Sequence, residues 1–290
     1  MLLKEIKNIF HKELDEIYPK EEVDTFFYRL VEHYLNLERF VLAFEPNLTL
    51  SKEEEQPMFE ALSRLRDKRP LQYIIGSSHF MDMDFKVDEN VLIPRPETEE
   101  LVRWILADRD SFKLQNRSIR ILDIGTGSGC IAVSLAKNIP EAQVLGIDIS
   151  DNALNVARQN AFSNDVKVDF TKVDILGNYG FDVLFDVIVS NPPYVRELEK
   201  TNMQKNVTAY EPDSALFVPN ENPLLFYRAI AHIAKKHLVT NGLLFLEINQ
   251  YLAKETEALL RQHNFSEIEL RKDMFGNHRF IRCSNHSKKD

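Results

Sequence analysis

The sequence predicts an α/β fold: a doubly wound, mainly parallel sheet of seven strands with helices on both faces, preceded by a small helical bundle and a β-hairpin. From residue 119 onward, runs of β-branched and aliphatic residues alternate with segments whose apolar residues recur at helical spacing. Residues 1–72 show helical spacing throughout, whereas residues 73–92 alternate apolar with polar side chains. We therefore predict a helical domain over 1–72, a hairpin linker over 73–92 and an α/β domain over 93–290.

The individual elements can be placed along the chain. In the helical domain, Pro46 and Asn47 mark a break, and Ser51 followed by Glu54 has the pattern of a capping box, although Pro57 favours a helix start near residue 56. The predicted strands span residues 119–123, 143–147, 166–170, 185–190, 243–248, 268–270 and 279–283, and the helices among them span 130–138, 151–162, 224–238 and 252–263. Residues 285–290 are predicted to form a frayed tail.

Composition limits the class of protein. The chain has 290 residues, a net charge of −9 and only two cysteines, Cys130 and Cys283, too few for a disulfide framework. Its apolar runs are far shorter than the roughly 18 residues that a membrane span needs. The acidic balance argues against a protein whose main work is to bind nucleic acid, because phosphate binding requires a basic face. We expect a cytoplasmic, monomeric protein that contacts neither membrane nor nucleic acid directly.

A glycine-rich loop follows the first strand of the α/β domain. It reads Asp-Ile-Gly-Thr-Gly-Ser-Gly over residues 123–129 and leads into a helix. Alternate glycines let the backbone turn tightly and approach a ligand, and the unpaired N–H groups at a helix start suit a carboxylate or phosphate. The residues that we predict to bind a cofactor here are Gly125, Thr126, Gly127, Ser128 and Gly129.

Two aspartates at the ends of the next strands narrow the choice of cofactor. Asp148 ends the second strand about 20 residues after the last glycine, where a carboxylate can hold ribose hydroxyls. Asp174 follows the third strand, within reach of an adenine amino group. The pattern G-x-G-x-G differs from the dinucleotide pattern G-x-G-x-x-G, which favours S-adenosylmethionine over NAD. Alternatively, Asp148 caps the helix beside Ser150, and Asp174 is a solvated turn residue.

The fourth strand leads directly into the turn Asn191-Pro192-Pro193-Tyr194. Ligands of open α/β sheets bind beyond the carboxyl ends of the strands, so this turn lies where a reaction would occur. The Asn191 side-chain oxygen and the Pro192 carbonyl can accept both N–H groups of an amide or amino nitrogen and stabilise charge that develops on it. The prolines fix φ, and Tyr194 can stack on a planar acceptor. We predict that Asn191, Pro192 and Tyr194 are catalytic and that all four residues bind a methyl acceptor.

Other kinds of catalytic site find little support. No His–Asp or Cys–His pair has the pattern of a catalytic dyad. Two cysteines and the lack of an HExxH motif predict that there is no metal site.

These residues together resemble the protein-(glutamine-N5) methyltransferases that modify peptide-chain release factors. The resemblance covers nearly the whole chain and rests on residues 93–99 (Ile-Pro-Arg-Pro-Glu-Thr-Glu), 123–129, 191–194, 210–216 and 273–279. It implies a seven-stranded, Rossmann-like sheet that binds S-adenosylmethionine, and methyl transfer to the glutamine of a Gly-Gly-Gln motif in a release factor. It also implies cofactor contacts from Asn191 and from the main chain near Ile175, and a helical domain that docks the release factor.

Two positions depart from the family pattern. Ile175 stands where some relatives carry an aromatic residue that could cover adenine, and Asn249 stands where a Leu-Glu-Ile-Gly pattern would place glycine. Two other functions stay open. An N6-adenine methyltransferase acting on nucleic acid needs the same nitrogen geometry, but the acidic charge disfavours it. A non-catalytic S-adenosylmethionine-binding module is the second alternative, and the intact loop and turn disfavour it.

Overall fold

The computed structural model describes residues 1–112, 118–177 and 180–286, and the chain divides into two compact units. The first unit comprises Met1–Gly76 with Gln204–Tyr210, and the second comprises Ser77–Met203 with Glu211–Asp290. Residues 287–290 of the predicted tail lie outside the described residues. No helix in the described ranges is long and apolar enough to cross a membrane.

The helices are α1 (Leu3–Leu14), α2 (Lys20–Leu35), α3 (Val41–Phe44), α4 (Lys52–Arg66), α5 (Leu71–Ile75), α6 (Pro96–Ala107), α7 (Arg109–Phe112), α8 (Cys130–Asn138), α9 (Asp151–Ser163), α10 (Lys205–Tyr210), α11 (Asp213–Leu216), α12 (Leu225–His237) and α13 (Ala253–Gln262). The strands are β1 (Ser77–Phe80), β2 (Met83–Lys86), β3 (Arg120–Ile124), β4 (Gln143–Asp148), β5 (Asp169–Lys172), β6 (Phe185–Ser190), β7 (Val195–Arg196), β8 (Phe217–Val218), β9 (Leu238–Glu247), β10 (Ser266–Lys272) and β11 (His278–Ser284). Two 3-10 helices span Glu197–Asn202 and Gln250–Leu252.

The first unit is a helical bundle, as the apolar spacing predicts. The residues of α1 at helical spacing, Leu3, Ile6, Phe10 and Leu14, are all fully buried, and they share one core cluster with residues of α2 and α4. Because each helix is amphipathic, burial of these apolar stripes against one another is what stabilises the bundle.

The predicted start of α4 near residue 56 is wrong. The helix begins at Lys52, because Ser51 forms the capping box that the sequence suggested: its hydroxyl accepts from Glu54 N at 3.3 Å, and the Glu54 carboxylate accepts from Ser51 N at 2.8 Å. Pro57 lies inside the helix. The carbonyl that loses its partner there belongs to the exposed residue Glu53, which water can reach.

The second unit contains the predicted seven-stranded sheet, in the order β10-β11-β9-β6-β3-β4-β5. The five strands β9, β6, β3, β4 and β5 are parallel, and β11 and β10 follow antiparallel at one edge. From β3 the chain proceeds to β4 and β5 on one side and then to β6 on the other. The strand order therefore reverses between β3 and β6, the position at which such sheets bind ligands.

Several strand limits differ from prediction. The third strand was placed at residues 166–170, but β5 spans Asp169–Lys172, because its pairing with β4 starts only at Leu145 with Asp169. The fifth predicted strand, 243–248, begins earlier in the structure, since β9 already pairs with β6 at Leu238 before a register shift. The short parallel pair β7–β8 was not predicted.

The predicted hairpin is present but shorter. Residues 73–75, assigned to it from their sequence, belong to α5, which ends at Gly76 with φ +73°. β1 and β2 are joined by a two-residue turn, Met81-Asp82, in which both residues have positive φ. Phe80 and Phe85 are buried in the core of the second unit, so the hairpin contributes to that core.

Candidate active site

A cavity of about 350 Å³ lies at the carboxyl ends of the parallel strands in the second unit. Ile124 at the end of β3, Asp148 at the end of β4 and Ser190 at the end of β6 all line it. The Ser190 hydroxyl donates to the Ile124 carbonyl at 2.7 Å and so ties β3 to β6 where the strand order reverses. The predicted site residues that line this one cavity are Gly125, Thr126, Gly127, Ser128, Asp148, Asp174, Ile175, Asn191, Pro192 and Pro193.

The glycine-rich loop owes its shape to backbone torsion and to β4. Gly125 and Gly127 have φ of +71° and +54°, and no protein atom lies within 4 Å of a Cβ built on either residue. The N–H groups of Gly125 and Thr126 both donate to the Ile147 carbonyl at 2.9 Å. These two glycines are therefore required by torsion, and the space beside them is open to a ligand.

Gly129 has a different part in the structure. It does not line the cavity; it is the N-cap of α8, with φ +80°, and a Cβ there would lie 3.0 Å from Ala157 Cβ. The third glycine thus permits close packing of α8 against α9. Its predicted direct contact with a cofactor stays a prediction.

Asp148 is fixed by the backbone on both sides. Its Oδ2 accepts from Gly127 N and its Oδ1 from Ser150 N, each at 2.9 Å. Ser150 is the cap of α9, since its hydroxyl accepts from Ala153 N. Burial raises the pKa of Asp148, and these hydrogen bonds oppose the rise. Each carboxylate oxygen keeps a further lone pair for a ligand hydroxyl.

Apolar residues that sequence reasoning missed flank this carboxylate. Ile149 and Leu176 line the cavity, although 55% and 48% of their surfaces are exposed. Asp174 lies between them and β5, and its Oδ1 accepts from Leu176 N at 2.9 Å. Ile175 also lines the cavity. Apolar side chains directly after two strand ends were the available signal, because an exposed apolar residue at a ligand cavity suits a flat apolar group.

Asn191 stands at the start of a hydrogen-bond chain that runs into the protein. Asn191 Nδ2 donates to Thr98 Oγ1 at 3.2 Å, and the Thr98 hydroxyl donates to Glu247 Oε2 at 2.7 Å. Thr98 and Glu247 are 2% and 1% exposed. Burial raises the pKa of Glu247, whereas the hydrogen bonds from Thr98 and Tyr194 and the positive charge of Arg279 lower it. Neither Thr98 nor Glu247 was predicted as a site residue.

Tyr194 does not line the cavity. Its hydroxyl donates to Glu247 Oε1 at 2.9 Å, and its ring packs against the core on one face of the sheet. Burial and the nearby carboxyl group of Glu247 raise the pKa of Tyr194 well above its ordinary value. Its predicted stacking on the methyl acceptor stays a prediction.

Asn249, the departure from the family pattern, supports the same turn. Its Nδ2 donates to the Tyr194 carbonyl and to Glu199 Oε2, both at 2.9 Å, and its Oδ1 accepts from Tyr251 N. Its φ of −65° is open to any residue. The side chain that replaces glycine therefore anchors the backbone of the turn.

The segment 93–99 forms another wall of the cavity. Arg95 lines the cavity and donates to Glu211 Oε1 at 2.6 Å, and Glu211 Oε2 accepts from Ile93 N at 3.4 Å. Glu211 is buried and immediately precedes Pro212, which also lines the cavity. This ion pair therefore holds the loop after Glu211 against the segment, a role that the sequence motif did not reveal.

The hairpin at 273–279 is closed by its aspartate. Asp273 accepts from the N–H groups of Phe275 and Asn277 and from Arg279 Nε. Burial acts to raise the pKa of Asp273, but these hydrogen bonds and the charge of Arg279 hold it below its ordinary value. Arg279 is thereby positioned where its charge acts on Glu247 and Tyr194.

The sheet order and the cavity at its reversal point are those of the S-adenosylmethionine-dependent methyltransferases. A family model described as a methyltransferase small domain matches residues 110–210, and one described as the PrmC N-terminal domain matches residues 8–76. A release factor glutamine methyltransferase from Flavobacterium psychrophilum is 47% identical over 98% of this chain and 99% of its own length. One from Bacteroides thetaiotaomicron is 39% identical over 96% and 99%. The chain belongs to the release factor glutamine methyltransferase family.

Solved structures agree on the fold. A methyltransferase from Pyrococcus furiosus, 17% identical, matches 82% of this chain and 100% of its own with a TM-score of 0.50. The catalytic domain of hMettl16 in complex with a hairpin from the MAT2A 3'UTR, also 17% identical, matches 83% and 84% with a TM-score of 0.54. At this identity the likeness shows the methyltransferase fold alone.

Proposed function

We propose that this protein transfers a methyl group from S-adenosylmethionine to the side-chain amide nitrogen of the glutamine in the Gly-Gly-Gln motif of a peptide-chain release factor. The observation that carries the proposal is that Asn191 and Pro192 line the same cavity as the glycine-rich loop. A site for the acceptor nitrogen thus adjoins a site for the methyl donor. The relatives' name, release factor glutamine methyltransferase, supplies the class of acceptor.

The residues of the cavity fit S-adenosylmethionine. The open space beside Gly125 and Gly127 admits the amino-acid end of the cofactor close to the backbone. Asp148 would accept from the ribose hydroxyls, and Asp174 would accept from the adenine amino group. Ile149 and Leu176 would cover the faces of the adenine ring. The main chain at Ile175, Thr126 and Ser128 and the side chain of Asn191 would complete the contacts, and they line the same cavity.

When bound, the cofactor supplies a methyl group on a positively charged sulfur, a good leaving group. The chain's own task is to prepare the acceptor. An amide nitrogen is a poor nucleophile because its lone pair is delocalised into the carbonyl. Asn191 Oδ1 and the Pro192 carbonyl would accept its two N–H groups, direct the lone pair toward the methyl carbon and stabilise positive charge on nitrogen. These oxygens are weak bases, so the proton that nitrogen finally loses passes to solvent. Fixed placement of this kind can lower a barrier by about 7–11 kcal/mol.

The test is transfer of a tritiated methyl group to a purified release factor. Parallel reactions contain the same factor with Gln→Ala in its Gly-Gly-Gln motif, or duplex DNA. We expect label in the unmodified factor only. Label that the Gln→Ala change leaves unaltered would contradict the acceptor, and label in DNA would favour an N6-adenine methyltransferase. A protein that binds S-adenosylmethionine but labels neither would be a binding module.

A further inference from the structure

Resting on the proposed function, the orientation of the Asn191 amide decides whether the site works. The side chain has an oxygen at one end, which accepts hydrogen bonds, and an NH₂ group at the other, which only donates. An acceptor amide offers its own N–H groups, so only the Asn191 oxygen can bind them. If the side chain turned over, two NH₂ groups would face each other. Something in the protein must therefore fix which end faces the cavity.

Thr98 provides a partner that can bind only one end. Its single hydroxyl hydrogen is directed at Glu247 Oε2, 2.7 Å away. What Thr98 Oγ1 then presents to Asn191 is a lone pair, which can bind Nδ2 at 3.2 Å but would repel Oδ1. Within the described ranges, no donor is directed at Asn191 Oδ1, which therefore stays available to a ligand.

Glu247 keeps the hydroxyl hydrogen of Thr98 pointing inward. Its two oxygens accept from two hydroxyls, those of Thr98 and Tyr194, and the charge of Arg279 favours the ionised carboxyl group. An ionised carboxylate only accepts, so both hydroxyls must donate toward it. Charge-assisted hydrogen bonds of this kind are about twice as strong as neutral ones, which makes the chain directional.

We propose that Thr98, held by Glu247, is a positioning residue that fixes the Asn191 amide with its oxygen toward the substrate nitrogen. Thr98 is the third residue of α6 and belongs to the motif at 93–99. The motif is thereby connected to the chemistry: Arg95 organises the cavity wall, and Thr98 sets the direction of the hydrogen bonds at the turn.

The test compares Thr98→Val, which keeps the shape but removes the hydroxyl, with Thr98→Ser, which keeps the hydroxyl. Thr256→Val is the matched control, because Thr256 is equally buried in a helix and its hydroxyl donates only to the Leu252 carbonyl. We expect Thr98→Val to lower kcat toward a release factor roughly 10- to 100-fold, with the S-adenosylmethionine Kd within about twofold of wild type. Thr98→Ser should recover most of the loss, and Thr256→Val should keep the wild-type kcat.

A double-mutant cycle separates positioning from a structural role. In an Asn191→Ala background there is no amide to orient, so Thr98→Val should cost less than about twofold further. The inference is overturned if Thr98→Val keeps wild-type kcat, if Thr98→Ser is no better than Thr98→Val, or if the two losses multiply. A wild-type protein that binds S-adenosylmethionine and labels no release factor would instead overturn the proposed function on which the inference rests.

Discussion

At the scale of single residues, the active-site region contains two buried carboxyl groups with different partners. Glu247 accepts two hydroxyl hydrogen bonds and lies near Arg279, so its surroundings partly favour the charged form. Asp123, beneath the glycine-rich loop, is fully buried and accepts from the Thr126 hydroxyl at 2.7 Å. Burial, more than any other cause, raises the pKa of Asp123 to about 7. Asp123 therefore costs stability when it ionises.

This shift predicts a pH dependence of stability with a defined sign. Below the ordinary pKa of 3.8, Asp123 is protonated in both folded and unfolded chains. Between 3.8 and about 7 the unfolded chain releases the proton while the folded chain keeps it, so the free energy of unfolding falls as pH rises. We expect Asp123→Asn to gain stability relative to wild type by about 1.4 kcal/mol for each pH unit across this window, and no more above it.

The measurement is urea denaturation of both proteins from pH 4.5 to 8. Asp110→Asn, a change at an exposed carboxyl group, is the control for loss of one negative charge. A difference between wild type and Asp123→Asn that stays constant across this range, or that grows as pH falls, would contradict the assignment.

At the scale of elements, the loop between β3 and α8 uses its glycines for two purposes. Gly127 has positive φ and faces open space in the cavity, whereas Gly129 has positive φ and packs against Ala157 of α9. One glycine serves the ligand and the other serves helix packing, although the sequence presents them as equal members of one motif.

Alanine substitutions should separate the two purposes. Gly127→Ala should cost about 1–2 kcal/mol of stability from backbone strain alone and should weaken S-adenosylmethionine binding strongly. Gly129→Ala adds an overpacking cost, for a total of roughly 2–5 kcal/mol, with the smaller loss of affinity. Urea denaturation and equilibrium dialysis give both quantities. The reverse ranking in either measurement would show that the two roles have been exchanged.

Elements with strong local signals could be predicted, and those that depend on distant partners could not. Residues 130–138 were predicted as a helix, and α8 has those limits, because a glycine precedes it and its apolar residues repeat regularly. The limits of β5 depend on where β4 offers a partner, which no local pattern contains. The same holds for the site. Asn191 and Asp148 follow strand ends and were found, whereas Thr98 and Glu247 lie 93 and 56 positions from Asn191 and meet it only through the fold.

At the scale of the whole molecule, one unit carries the chemistry and the other is left for recognition. Every residue that lines the cavity belongs to the second unit. The helical unit as the docking site for the release factor therefore stays a prediction, as do the monomeric state and the cytoplasmic location. The net charge of −9 disfavours nucleic acid as the acceptor.

The central claim is that Asn191 and Pro192 direct methyl transfer to one glutamine amide. The most direct test is peptide mass spectrometry of a purified release factor after incubation with the protein and S-adenosylmethionine. We predict one added methyl group, located on the glutamine side chain of the Gly-Gly-Gln motif. With Asn191→Ala, we predict that it accumulates about 100-fold or more slowly at saturating cofactor. A methyl group on any other residue, or an unchanged rate with Asn191→Ala, would contradict the claim.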